Sequence, residues 1–249
     1  MPEYNYLYLG DNARTPYGTR SFEVVYEFTL QAVKTLFAEG CPLVILACNT
    51  ASAKALRTIQ QKDLLHLDPH KRVLGVIRPT VESVGQLTKT RHVGVLGTPG
   101  TITSGSYLLE IHKLFPDITV TSEACPMWVP LVENKEYDFP GADYFVERHI
   151  LSILNKDPLI DTLILGCTHY PLLEKKIRKY LPESIAILSQ GQRVAESLAD
   201  YLRRHPEVET RCAKNGKTRF YTTEAEEKFS GMASVFLQGN IQAQRINLK

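Results

Sequence analysis

Two cysteines stand out because each follows a short apolar run and precedes small polar residues. Cys48 comes after residues 43–46 and Cys167 comes after residues 162–165. Such runs are typical of buried strands, and the residues that follow each cysteine predict a helical turn. The first turn of a helix has unpaired N–H groups and a partial positive charge, which favour a thiolate and can hold an anion beside it. The sequence therefore predicts two functional thiols, roughly one in each half of the chain.

Two thiols that face one substrate from opposite sides suit the inversion of a carbon acid. One thiolate removes the Cα hydrogen while the opposite thiol donates a hydrogen to the other face. Backbone N–H groups and hydroxyls beside them would hold the α-carboxylate and stabilise the negative charge that develops. This chemistry needs no cofactor in principle, so we expect none.

Several residues near these cysteines are candidates for supporting roles. His169 lies two positions after Cys167 and could orient or protonate groups there, although a lone histidine is more often a simple hydrogen-bonding residue. Glu133 ends an apolar stretch, residues 124–133, whose two prolines favour a loop lining a cleft; the carboxylate fits a cleft acid and a solvated loop end equally well. Tyr17 and Gly18 could present backbone amides to a carboxylate, although a plain turn fits equally well.

The other cysteines and histidines predict no metal or disulfide chemistry. The chain has five cysteines, an odd number, with no C-x-x-C pair, which argues against a disulfide framework and a zinc ribbon. We expect Cys41, Cys125 and Cys212 to be structural. No ligand spacing is found among the six other histidines, His66, His70, His92, His112, His149 and His205.

The elements that must position these residues are strands alternating with helices. This alternation predicts an α/β protein of two pseudo-symmetric lobes, each a mostly parallel sheet flanked by helices, with the active site between them. We place one lobe at residues 1–79 and 189–249, with Cys48, and the other at 80–188, with Cys167. Residues 217–223 are expected to form an edge strand.

The loop at residues 97–101 resembles an anion-binding turn but matches neither the P-loop nor the dinucleotide fingerprint, so nucleotide binding is disfavoured.

Composition excludes several classes of function. The 249 residues include 29 Lys and Arg against 27 Asp and Glu, a formal net charge of +2. This balance does not favour nucleic acid or a membrane surface as the main partner. The apolar runs are too short to span a bilayer and the first residues do not resemble a signal peptide, so we expect a cytoplasmic protein.

At these motifs the chain resembles the glutamate racemase family, the two-cysteine amino-acid racemases that use no pyridoxal phosphate. The stretches that carry the resemblance span nearly the whole chain and occur in the family's order: residues 10–19, 47–53, 94–101, 129–133 and 166–173. The resemblance implies conversion of L-glutamate to D-glutamate, supply of D-glutamate for peptidoglycan and hence cell-wall biogenesis and cell shape, and homodimers.

The resemblance also implies roles for individual residues. Cys48 and Cys167 would be the two acid/base thiols, and Glu133 and His169 would assist them. The residues that would contact the amino acid are Tyr17, Gly18, Asn49, Thr50, Thr101, Thr168 and His169.

The chain departs from the family pattern in two places. Family members begin with a strand and an Asp-Ser turn that have no equivalent here, and residues 188–191, Leu-Ser-Gln-Gly, differ from the usual Asp-Ser-Gly. Losing a central strand would leave a sheet edge uncovered and remove a catalytic partner. We therefore expect an N-terminal segment to be missing and the activity of the chain as written to be weak or absent.

Three other functions remain open at this point. The chain could racemise aspartate or another acidic amino acid, or it could be a binding protein that keeps the pocket and has lost the chemistry. A thiol hydrolase that uses Cys167 and His169 is the least favoured, because acyl transfer does not require a second matched cysteine.

Overall fold

The computed structural model describes residues 1–237 and 239–248, and within them the chain alternates between strands and helices. The nine strands of this described part are β1 Tyr6–Gly10, β2 Leu43–Leu46, β3 Arg72–Gly75, β4 His92–Gly97, β5 Thr119–Ala124, β6 Thr162–Gly166, β7 Ala186–Leu188, β8 Thr218–Thr222 and β9 Ala243–Arg245.

Thirteen α-helices are found in the same described ranges. They are α1 Phe22–Ala38, α2 Asn49–Lys54, α3 Leu56–Thr58, α4 Leu64–Leu67, α5 Ile77–Leu87, α6 Pro99–Thr103, α7 Ser106–Leu114, α8 Trp128–Glu133, α9 Pro140–Lys156, α10 Glu174–Tyr180, α11 Gln190–Arg204, α12 Pro206–Glu209 and α13 Glu226–Leu237. Of the helices in this part of the chain, none combines the length and apolar character needed to cross a bilayer.

All paired strands run parallel, as the alternation predicted. A four-stranded sheet has the order β5-β4-β6-β7, and its register pairs Gly97 with Gly166 at the carboxyl ends of β4 and β6. A three-stranded sheet has the order β1-β8-β9, and β2 pairs with β3 in a separate ladder. Among the described residues β1 and β2 do not pair with each other, so each keeps one edge without a strand partner.

The four-stranded sheet is covered on both faces. One face packs on α8, α9 and α10 around Trp128, Ile150 and Leu165, and the other packs on α5 and α7 around Val81 and Ile111. Strand β6 is buried at every position, which explains its continuous apolar sequence.

The third core cluster joins α1 to β2 and β3. The two-lobe α/β architecture is therefore confirmed, whereas the lobe boundaries at 79/80 and 188/189 stay a prediction.

Two local expectations were wrong. Residues 124–133 do not form a loop throughout, because residues 128–133 form α8; Pro130 is tolerated in its first turn, where a backbone N–H has no helical acceptor. Residues 218–222 do not form an edge strand, because β8 lies between β1 and β9. The polar composition of this strand suggested an edge, but its Tyr221 and Thr222 are buried.

Candidate active site

Cys48 is the residue that precedes α2, as the sequence predicted. Its backbone is extended, with φ −72° and ψ 123°, so the chain turns from β2 into the helix at this residue. Cys48 is an exposed residue as a whole, but protein atoms closely surround its thiol, and this desolvation raises the pKa of the thiol. The N–H groups of Ala51 and Thr50 and the Thr50 hydroxyl act in the opposite direction, because they stabilise the thiolate.

Cys167 occupies the corresponding place after β6, ahead of a 3₁₀ turn at Tyr170–Leu173. It is buried, and burial raises the pKa of its thiol to about 12 even though the N–H groups of His169 and Tyr170 favour the thiolate. The Cys48 and Glu133 charges also raise this pKa. The contacts around the two cysteines bring them to one region of the protein. Thr50, two residues after Cys48, lies 2.9 Å from Thr98 through their hydroxyls, and the adjacent Gly97 pairs with Gly166, the residue before Cys167.

Glu133 and His169 form a relay that ends at Cys167. The His169 Nε2 atom lies 2.5 Å from Glu133 Oε1, and its Nδ1 atom lies 3.8 Å from Cys167 Sγ. The hydrogen bond to the carboxylate places the histidine proton on Nε2, so Nδ1 of the neutral ring can accept the thiol proton. The same contact keeps the pKa of Glu133 below its usual range. The Glu133 side chain is 43% exposed, and its role as a cleft acid stays a prediction.

Three threonine hydroxyls meet at the starts of α2 and α6. Thr50 Oγ1 lies 2.9 Å from Thr98 Oγ1 and 3.2 Å from Thr101 Oγ1, and the Thr98 and Thr101 hydroxyls are 3.0 Å apart. All three residues are buried. Each hydroxyl can donate as well as accept, so the cluster can turn donors toward an anion such as a carboxylate.

The loop that contains Tyr17 and Gly18 packs against this threonine cluster. Asp11 accepts hydrogen bonds from the Tyr17 hydroxyl and from the Thr223 hydroxyl, and it forms an ion pair with Arg14 at 2.7 Å. A Cβ atom at Gly18 would lie 2.7 Å from Thr98 Cβ, so only glycine allows this approach. These contacts fix the loop against the threonine cluster, and its binding of a carboxylate stays a prediction.

Asn49 and Thr168, two further predicted site residues, differ in their exposure to solvent. Asn49 is the first residue of α2 and is 2% exposed, whereas Thr168 is exposed to solvent beside Cys167. Two residues of the site were missed from the sequence. Thr98 could have been found, because Thr-Pro before a helix is the pattern of an N-cap residue followed by proline at N1. Asp11 had no such signal, because its hydrogen bond with the Tyr17 hydroxyl forms only when the loop folds back on itself.

A comparison with protein-family models shows which family the sequence matches. Residues 1–198 match the model of the Asp/Glu/hydantoin racemases. The chain belongs to the Asp/Glu/hydantoin racemase family. As a member of this family it is an isomerase of the amino-acid racemase class, which confirms the resemblance found in the sequence.

Two relatives illustrate how far the similarity extends along this racemase. The glutamate racemase of Paracoccus denitrificans (strain Pd 1222) is 38% identical over 97% of this chain and 90% of its own length. The glutamate racemase of Shouchella clausii (strain KSM-K16) is 39% identical over 95% of this chain and 82% of its own length.

Solved structures show the same similarity in three dimensions. The glutamate racemase isoform RacE1 from Bacillus anthracis superimposes with a TM-score of 0.89 and 36% identity, covering 99% of this chain and 89% of that chain. The glutamate racemase from Francisella tularensis subsp. tularensis SCHU S4, solved in complex with D-glutamate, gives a TM-score of 0.87 and 32% identity, covering 100% of this chain and 89% of that chain.

Proposed function

We propose that this racemase interconverts L-glutamate and D-glutamate with two thiols and no pyridoxal phosphate. The observation that carries the proposal is the meeting of two strand-end cysteines from different sheets. The Thr50 hydroxyl after Cys48 contacts the Thr98 hydroxyl at the end of β4, and β4 pairs through Gly97 with Gly166, next to Cys167. The similarity to glutamate racemases over nearly the whole chain supports glutamate as the substrate.

In the proposed reaction one sulfur is a thiolate and the other a thiol. The thiolate takes the Cα proton and becomes a thiol, and the opposite thiol gives its proton to the other face of Cα and becomes a thiolate. The reverse reaction starts from the exchanged protonation states. Burial favours the neutral thiols in the free protein, and the N–H groups of the residues that follow each cysteine lower the cost of the thiolate. The relay from Glu133 through His169 accepts the Cys167 proton when this residue must become the base.

The substrate carboxylates are proposed to bind the donors at the two helix starts. The Thr50 and Thr101 hydroxyls and the backbone of the Tyr17–Gly18 loop would hold the α-carboxylate and stabilise the negative charge that forms on it. Asn49, Thr168 and His169 complete the proposed set of contacts. Hydroxyls that already lie in place need little reorganisation when this charge develops, which is why they accelerate the reaction more than water does.

Isotope exchange tests the two-thiol scheme directly. The protein is incubated with L-glutamate or D-glutamate in deuterated water, and the product is analysed for configuration and for deuterium at Cα. We expect inverted product that carries deuterium, and we expect Cys48→Ala and Cys167→Ala each to lose about 10²–10⁴-fold in rate. Cys41→Ala is the matched control, because it removes a half-buried thiol outside the site and should leave the rate unchanged.

The outcomes separate the competing functions. Inversion that survives either cysteine substitution would reject the two-thiol scheme. Faster exchange with aspartate than with glutamate would assign another acidic substrate, and glutamate binding without exchange would assign a binding protein. Release of an acyl group from a thioester substrate, dependent on Cys167 but not on Cys48, would assign a hydrolase. The expectation of weak turnover stays a prediction, so the assay is run to long incubation times.

The cellular context is also part of the proposal. The D-glutamate formed is proposed to enter peptidoglycan synthesis, which takes place from cytoplasmic precursors, and the protein is proposed to act in the cytoplasm as a homodimer. Light scattering after size-exclusion chromatography should give twice the mass of one chain. A mass equal to one chain at micromolar concentration would reject the dimer and leave the racemase proposal unaffected.

A further inference from the structure

Four buried polar side chains from four helices meet behind Cys48. Asn49 begins α2, Thr80 lies in α5, Tyr107 lies in α7 and Gln190 begins α11. Their exposed fractions are 2%, 0%, 3% and 8%. Polar groups so deeply buried are stable only when their hydrogen bonds are made, so the arrangement of donors and acceptors among them is restricted.

Gln190 is the centre of this cluster. Its Nε2 atom lies 2.9 Å from Thr80 Oγ1, 2.6 Å from the Tyr107 hydroxyl and 3.0 Å from Asn49 Oδ1. Its Oε1 atom accepts a hydrogen bond of 2.6 Å from Asn49 Nδ2. The Tyr107 hydroxyl in turn donates to Asn49 Oδ1 over 2.8 Å. Both ends of the Asn49 amide therefore contact Gln190.

The direction of these hydrogen bonds is fixed at one end. The Thr80 hydroxyl donates its hydrogen to the Val76 carbonyl over 2.8 Å, so Thr80 Oγ1 can only accept from Gln190. This requires the NH2 end of the Gln190 amide to face Thr80, which turns its carbonyl oxygen toward Asn49. The Asn49 amide must then present Nδ2 to Gln190 and Oδ1 to Tyr107. Reversing Asn49 would bring two NH2 groups together and leave buried donors without acceptors.

We infer that Gln190 is a positioning residue that fixes the amide orientation of Asn49 next to Cys48, with one Nδ2 hydrogen bound to Gln190 and the other left for the substrate. The inference rests on the proposed function, in which Asn49 contacts the amino acid. It also gives a role to the segment at residues 188–191 that departs from the family pattern. Gln190 does not touch the reacting atoms, and it acts through Asn49.

Kinetics of a double-mutant cycle test the inference. Gln190→Leu removes both ends of the amide at nearly unchanged size, and we expect kcat/KM for glutamate to fall about 10–100-fold, because the lost bonds leave Asn49 unsatisfied or reversed. In the Asn49→Ala background the same Gln190→Leu substitution should change kcat/KM less than two-fold, since Gln190 then has nothing to orient. Equal losses in both backgrounds, or no loss in the first, would overturn the inference.

A control separates positioning from folding. Thr29→Val removes a buried hydroxyl that donates to the Val25 carbonyl in α1, away from the Gln190 cluster. It should lower the midpoint of urea unfolding without lowering kcat/KM. The Gln190→Leu variant, in contrast, should lose kcat/KM even at temperatures where circular dichroism shows it fully folded.

A second measurement is independent of turnover. In the two-dimensional ¹H–¹⁵N spectrum, the side-chain amide signals of Asn49 are assigned from their absence in Asn49→Ala. One of these hydrogens should exchange slowly with water in the natural chain and rapidly in Gln190→Leu. If the natural chain fails to invert glutamate, the proposed function is rejected while this exchange rate still decides the inference. Rapid exchange in both proteins would reject the role of Gln190 alone.

Discussion

The backbone N–H of Gly100 donates a 2.7 Å hydrogen bond to the carbonyl of Gly18, which ties the Tyr17–Gly18 loop to the first turn of α6. A Cβ atom at Gly100 would lie 2.9 Å from that carbonyl oxygen and 3.0 Å from the end of the Lys54 side chain. Lys54 can move aside, but the backbone oxygen cannot do so without losing the hydrogen bond. The pair therefore fixes how closely the loop approaches the threonine cluster.

Gly100→Ala should destabilise the protein and weaken substrate binding. Overpacking typically costs about 1–3 kcal/mol, and the better helix propensity of alanine offsets up to about 1 kcal/mol of this. We expect a lower midpoint of urea unfolding and a higher KM for glutamate. Gly141→Ala in α9 is the control, because nothing lies within 4 Å of the added Cβ, and its stability should not fall.

Thr98→Val should weaken both the helix start and the hydroxyl cluster. Thr98 Oγ1 accepts from the Thr101 N–H over 3.3 Å and contacts the Thr50 and Thr101 hydroxyls. Loss of an N-cap costs about 0.5–2 kcal/mol, and the two remaining hydroxyls each lose a partner. We expect a drop in the free energy of unfolding together with a lower kcat/KM. Thr103→Val, an exposed hydroxyl of the same helix, should change neither.

The pH dependence of kcat/KM should report the raised pKa of Cys167. Burial lifts the pKa of this thiol to about 12, so the thiolate fraction rises with pH throughout the neutral and mildly alkaline range. In the direction in which Cys167 removes the Cα proton, kcat/KM should increase from pH 7 to pH 9 without a plateau. A plateau below pH 8 would mean that the free protein already holds Cys167 as a thiolate.

Glu133→Gln should lower the pKa of the Cys167 thiol, read from the ultraviolet absorbance of its thiolate, and should lower kcat/KM over the same pH range. The Glu133 charge contributes to the raised pKa of Cys167, so its removal lowers that pKa. The same change removes the hydrogen bond that orients His169. Loss of a group that orients a reactive side chain typically lowers activity by about 10–100-fold. Glu136→Gln removes a neighbouring exposed carboxylate and should leave the profile unchanged. An unchanged Cys167 pKa in Glu133→Gln would contradict the electrostatic influence of Glu133, and an unchanged kcat/KM would contradict the relay.

Asp143 should make stability depend on acid pH. Hydrogen bonds from Lys176, from Lys179 and from the Tyr180 hydroxyl hold the pKa of this carboxyl at about 2, below its ordinary value of 3.8. Its contribution to stability is therefore complete above pH 3.8 and is lost as pH falls through about 2. The Tm difference between the natural chain and Asp143→Asn should be present at pH 6 and disappear at the lowest pH. A difference that persists there would show that the amide disrupts packing instead.

The alternating pattern of the sequence determined the parallel α/β architecture and the strand-end positions of both cysteines. Continuous apolar runs such as residues 162–165 predict a fully buried strand, and Gly-Cys-Thr-His after it predicts a reactive turn, because both features depend on local chemistry. The start of α1 depends on local chemistry too, because the Ser21 hydroxyl accepts from the Val24 N–H. Resemblance to a family then added the substrate class.

Tertiary structure alone decided which distant residues meet. The pairing of Glu133 with His169 joins the end of α8 to the turn after β6, and the Gln190 cluster joins four helices that are separated along the chain. No local propensity encodes such contacts, since they follow from how the helices pack on the parallel sheets. The placement of β8 between β1 and β9 was missed for the same reason, because strand order depends on crossover connections and not on the composition of one strand.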